Sequence, residues 1–353
     1  MKNLPLPKKE DMPLRKTALF LTLGLALTCA QATSNALGLS SSLNLLVFQD
    51  LNVPSSDVQG QVAVGGNASI SSYSINTKSW GALYSGTGLT VAGNLSFSSG
   101  ATWADTVVGG KLITTGSASF HGNVSVGGDV VSPQDAWLSY GSLSYGGSAS
   151  SLSQWQTPTA QKSSTAVNLG LDFAAEQARL SSLSLAYDGL ANTGTVSDVY
   201  GNLVLDAGQL SLAVFDLQAS DLLKNMTLSN VGANTTVLIN VHGDSLNFSS
   251  HGYDGFLAGQ VLFNLVDAST VTFSAGVTAS FLAPQADFST SYGVINGQVV
   301  AQSWSGSVQV NDAPFTGQIS VSAVPELQSY AMMVGGLALL GWVRRRQQLR
   351  TRA

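Results

Sequence analysis

Cysteine is almost absent from this sequence: its one copy, Cys29, sits near the N-terminus inside an apolar run. The body of the chain therefore has no disulfide framework, no cysteine-built zinc site and no thiolate chemistry. Histidine occurs three times, as His121, His242 and His251, and no two stand in an H-x-x-x-H spacing. Basic residues are nearly as scarce. Between Thr33 and Val343 there are five, Lys78, Lys111, Lys162, Arg179 and Lys224, against eighteen acidic ones, a net charge of −13. So acidic a body, with one arginine, is a poor partner for nucleic acid or any other polyanion.

What the chain does have is glycine, 37 in 353 residues, and short aliphatic runs spaced by Ser, Thr, Asn and Gly. That texture suits many short strands joined by turns. The two ends differ from it. Lys2, Lys8, Lys9, Arg15 and Lys16 precede the apolar run Thr17 to Ala30, and Ala30 and Ala32 supply the small residues a signal peptidase reads. Residues 1–32 are expected to be a secretory signal peptide cleaved after Ala32. The rival, a lipoprotein signal acylated at Cys29, is disfavoured because Thr28 fits poorly before such a cysteine.

At the other end, Val324-Pro325-Glu326 is followed by an uncharged run from Tyr330 to Val343, stopped by Arg344, Arg345 and Arg346. The run is short of the roughly 20 residues of a lasting transmembrane helix. Its arginines would stay on the cytoplasmic side of the inner membrane, with the body outside. The order of Pro-Glu motif, apolar helix and arginine cluster in residues 324–353 resembles the PEP-CTERM sorting signal of Gram-negative bacteria. The resemblance implies recognition by an exosortase and cleavage near the motif; Leu327, where a second proline is usual, puts the efficiency of processing in question.

Within the body, residues 33–323, a glycine pair after alternating valines recurs, its second glycine at Gly66, Gly93, Gly110 and Gly128. The last two intervals are close to eighteen residues, the length of one coil of a β-solenoid. The longer first interval reads as an inserted loop from Ser72 to Gly88. The pair is read as a corner at which glycine takes positive φ, with Asn67, Asn94 and Asp129 tolerating the left-handed region after it. Ser139 to Thr165 reads as a Ser/Gly-rich linker. Next comes one helix, about 169–188, with Asn168 as N-cap and Gly189 as its stop, and with Phe173, Leu180, Leu183 and Tyr187 near one face. Strand texture resumes after Gly194. The expected fold is mainly β: a right-handed parallel β-helix, or β-solenoid, built jointly by the N- and C-terminal strand groups and flanked by one α-helix.

The stretch LNLLVFQDLNVPSSDVQGQVAVGGNASISSYSI, Leu43 to Ile75, together with VLFNL, FLAPQADFS and VINGQVVAQSWSG between Val261 and Gly306, resembles the choice-of-anchor A domain of exported bacterial proteins. The resemblance implies an adhesive solenoid at the cell surface or in the extracellular matrix, with polysaccharide or surface and matrix proteins as partners. It supplies no catalytic residues.

The chemistry that the residues themselves offer is thin. Asp105 stands where a P-loop ending in Gly110-Lys111 needs glycine. Calcium is conceivable if Asp57, Asp105 and Asp129 line up on successive coils, although no calcium-loop pattern is present. The segments beginning at His242 and His251 read as turns. A polysaccharide lyase or glycosidase would need paired carboxylates with a basic neighbour, and no such set identifies itself. Ice binding would call for a repeated threonine face, whereas only Thr270-Val271-Thr272 has that form. Trp80, Tyr84, Trp103, Trp137, Tyr140, Tyr145 and Trp155 could serve sugar or protein surfaces, but packing at solenoid corners explains them better. No cofactor and no catalytic residue is expected.

Overall fold

The computed structural model describes residues 36–79, 86–133, 137–152, 159–249 and 251–321. The signal cleavage residues Ala30 and Ala32, the sorting motif, the apolar run with its arginines, and Trp80, Tyr84 and Trp155 all lie outside them.

Alternating aliphatic residues separated by small polar ones give strands of two to eleven residues, nearly all paired in parallel. They stack as coils with three faces. Strand Leu43–Val47 belongs to the first face and lies in the middle of the stack. On one side it pairs with Gln61–Val64, and the ladder continues through Thr87–Val91, Asp105–Val108, Val124–Val126 and Leu143–Tyr145 to Ala160–Lys162. On its other side it pairs with Val299–Gly306, and from there the ladder runs through Ser280–Thr290, Val261–Leu265 and Thr236–His242 to Leu212–Gln218. The chain thus starts mid-stack, winds to one end, crosses over, and winds back from the other end until the halves meet at Leu45↔Val299 and Leu46↔Val300. One solenoid from two strand groups is what the sequence pattern implies.

Alternate residues of each strand fill the interior. Val64, Val91, Val108 and Val126 stack in register in the first half. Aromatics take over in the second: Phe263 stacks on Phe281 at 5.3 Å and Phe288 on Trp304 at 5.4 Å, all nearly solvent-free. Rings in such stacks add about 1 kcal/mol per pair beyond their area burial.

The crossover carries α1, Phe173–Asp188. It starts four residues later than the pattern around Asn168 indicates. Asp172 is the cap, its Oδ1 accepting the Ala175 N–H at 3.1 Å, while Asn168 accepts the N–H of Gly170 in a turn ahead of the helix. Gly189 ends it as expected, its N–H reaching the Leu185 carbonyl at 3.2 Å. Leu180, Ser184 and Tyr187 are buried, with Phe173 and Leu183 partly so. They cover the outer side of the first face, where Leu46, Val214, Leu238, Leu262, Leu282 and Val300 form a second core. Under the helix that face is largely apolar on both sides, as in other covered parallel sheets.

Two segments differ from the sequence reading. The stretch that reads as a linker continues the coils through strands Trp137–Ser139, Leu143–Tyr145, Ala149–Ser150 and Ala160–Lys162. Serine and glycine there satisfy the ladder because one inward residue per strand, such as Leu143 or Leu138, is enough to hold the core. The insertion also begins later than Ser72, since Tyr73–Ile75 pairs with Ser56–Val58 as a regular strand.

Candidate binding face

Each glycine pair turns the chain from the first face to the second, and the reason for glycine is proximity. A Cβ on Gly93 would lie 2.6 Å from the Gly66 carbonyl oxygen of the preceding coil, and one on Gly128 2.8 Å from that of Gly110. None of these glycines has positive φ, and neither do Asn67, Asn94 or Asp129. The corner is a stacking constraint, which corrects the left-handed reading. The series also extends to Gly147, which a Cβ would bring against the coil of Asp129.

The residue after each pair has its own task. Asn67 takes its N–H to Asp50 Oδ1 at 2.7 Å, Asn94 to Asn67 Oδ1 at 3.0 Å, and Lys111 to Asn94 Oδ1 at 2.9 Å. Lys111 then pairs with Asp129 at 3.1 Å, and Asp129 Oδ1 accepts the Ser148 N–H at 2.9 Å. A short side-chain acceptor on one coil thereby satisfies the corner N–H of the next, where no strand partner exists. Those bonds from Ser148 and Lys111 hold the Asp129 carboxyl at about 2.

Beyond the corner lies the second face, whose outer side is covered by no element among the described residues. Register pairs carry one outward position across ten coils. From the join, the positions run Asn52, Ser69, Ser96, Ile113, Val131 and Ser150 in one direction. In the other they run Ser305, Ser289, Thr272 and Asn247. No side chain in this row exceeds isoleucine in size, and every one is exposed or half-buried. The row is rich in hydroxyl and amide groups and repeats at the strand spacing of about 4.8 Å. A second row at the corner, with Ser245, Thr270, Asp287 and Ser303 in register, runs beside it. Thr270 and Thr272 are the threonines that the sequence singles out, and the structure sets them among serines and asparagines rather than in a threonine array.

Other residues of interest fall elsewhere. Asp57 lies on strand Ser56–Val58 of the eight-stranded sheet, where Thr77 donates to it at 3.0 Å; Asp105 opens a first-face strand and accepts the Asn123 N–H at 2.8 Å. With Asp129 at the glycine corner, the three occupy different edges of the coil, so the calcium alignment does not form. Trp103 stacks face to face on His121 at 3.6 Å, and burial pushes the His121 imidazole down. Tyr140 and Tyr145 pack against the core. His242 is not a turn residue but the last residue of strand Thr236–His242, within 3.3 Å of both Asp188 and Asp267. Among the described residues no helix is long and apolar enough to cross a membrane.

The fold is a parallel β-solenoid, and one of its long, repetitive faces is uncovered among the described residues. The chain belongs to the ice-binding-like adhesive domain family, whose model matches residues 36–312. No curated protein matches it. Among solved structures, that of an ice binding protein from an Antarctic bacterium, Flavobacteriaceae, aligns with 82% of this chain and 100% of its own at 13% identity and a TM-score of 0.27. A likeness that weak carries no weight for fold or function.

Proposed function

We propose that this is an exported, non-catalytic adhesive module of the choice-of-anchor A type, which holds extended extracellular surfaces through its second face. The observation that carries the reading is the unbroken register from Asn247 to Ser150, which presents one outward position per coil over ten coils, hydroxyl or amide at every position except Ile113 and Val131. Many weak, evenly spaced contacts on a rigid frame sum to firm attachment only against a partner that is itself extended and repetitive. Such a partner is a polysaccharide fibre, a matrix protein array or a crystal face. The PEP-CTERM-like tail would deliver the module by way of the inner membrane, and an exosortase would cleave it near Val324-Pro325-Glu326.

The test is retention of the purified full chain on insoluble polysaccharides, matrix proteins and ice, with analysis of released products. Saturable retention without products, lost when Ser69, Ser96 and Ser305 are together replaced by arginine, is the expected result. Turnover of a polysaccharide, or retention indifferent to those three substitutions, would overturn the reading.

A further inference from the structure

At the end of the first face, where α1 stops, Asp188, Asp216 and His242 bring one ligand atom each within 4.8 Å of one another. They come from the helix terminus and from two adjacent first-face strands. We propose that these three residues form a binding site for a single divalent transition-metal ion, of the zinc class rather than calcium.

The spacing fits such an ion. His242 Nε2 and Asp188 Oδ1 are 3.3 Å apart. Two ligands of a tetrahedral ion with bonds of 2.0–2.1 Å stand about 3.3 to 3.4 Å apart, so a zinc-sized cation fits between them with little movement. The outer contacts match as well. His242 Nδ1 faces Asp267 Oδ2 at 3.3 Å, the carboxylate that fixes the tautomer and leaves Nε2 free to ligate. Asp216 is oriented by Asn240, which donates to its Oδ1 at 3.0 Å.

Charge points the same way. Three carboxylates surround one imidazole, and Asp188 sits at the negative end of α1, whose last turn holds no basic residue. Lys78, Lys111, Arg179 and Lys224 are paired with other carboxylates. An imidazole ligand and a small ligand set disfavour calcium, which takes six to eight oxygens. The bound ion would join the C-terminus of α1 to the solenoid wall.

Equilibrium dialysis of the full chain against Zn2+ and against Ca2+, with metal analysis, tests the site. One Zn2+ per chain is expected, with Ca2+ at least tenfold weaker and a rise in melting temperature with Zn2+. Asp188→Asn and His242→Gln should each lower Zn2+ affinity at least tenfold, Asp267→Asn about 10- to 100-fold, and Asp287→Asn not at all. Co2+ bound to the unmutated chain should give the visible spectrum of a four-coordinate nitrogen and oxygen site, a readout independent of whether any variant folds. No saturable Zn2+ uptake below 1 mM, an octahedral Co2+ spectrum, or affinity unchanged in both Asp188→Asn and His242→Gln would overturn the proposal.

Discussion

Asn264 donates through Nδ2 to Oδ1 of Asn240 at 2.9 Å, one coil away in register and buried beneath α1. The same amide also donates to the Ser184 carbonyl at 2.9 Å, and its oxygen accepts the Ser184 hydroxyl at 2.6 Å. From Asn264 toward the join this outward row is apolar, with Leu282, Val300 and Leu46. The asparagines therefore fix where the helix lies along the coils. Asn264→Ala is expected to strand Ser184 and one face of Asn240, at a cost of about 3 kcal/mol. In urea the midpoint should fall with the slope unchanged.

Close stacking at the glycine corners makes a distinguishing prediction. Gly93→Ala and Gly93→Asn should destabilise alike, by about 1 to 3 kcal/mol, because either side chain meets the Gly66 carbonyl. Were positive φ the reason, asparagine would be the milder change. Gly170, at φ +71 with nothing near its Cβ position, is the internal control and should prefer asparagine to alanine.

The two capping candidates of α1 separate cleanly. Asp172→Ala should lower stability by about 1 kcal/mol, the usual loss of an N-cap. Asn168→Ala lies in the turn before the helix and should change the melting temperature by less than half as much.

Acid should weaken the corner at Asp129. Its folded pKa of about 2 lies below the ordinary 3.8, so the folded state binds fewer protons between those values. The contribution is fully present above pH 4 and disappears as pH falls through 2. Asp129→Asn keeps an acceptor for Ser148 but not the charge facing Lys111. The difference in melting temperature between it and the unmutated chain should shrink steadily from pH 5 to pH 2.

Much of the scaffold is legible in the chain. Valine alternation and the eighteen-residue recurrence of Gly110 and Gly128 give the coil, and Gly189 gives the end of the helix. Two features misled. Serine and glycine from Ser139 to Thr165 look like linker because each strand there buries at most one residue, which is too sparse to register as periodicity. Asn168 looks like a cap because it sits before the first leucine, although the chain does not turn helical until Asp172 offers its carboxylate.

The candidate sites were far less visible. Ser69 and Ser305 belong to one row, yet they are 236 positions apart, and each stands alone among polar neighbours in sequence. Asp188, Asp216 and His242 similarly belong to three elements.

By itself the sequence determined the class of structure. An acidic, cysteine-free body of short alternating strands, with glycine at recurring corners, has to bury its aliphatic positions by stacking coils. Only the tertiary structure decided which outward side is covered and which is open. Strand register places Leu238, Leu262 and Val300 under α1 and leaves Ser69, Ser289 and Thr272 facing solvent. The physical reason is that pairing between coils joins residues from opposite halves of the chain, and that join at Leu45 and Val299 is made in space alone.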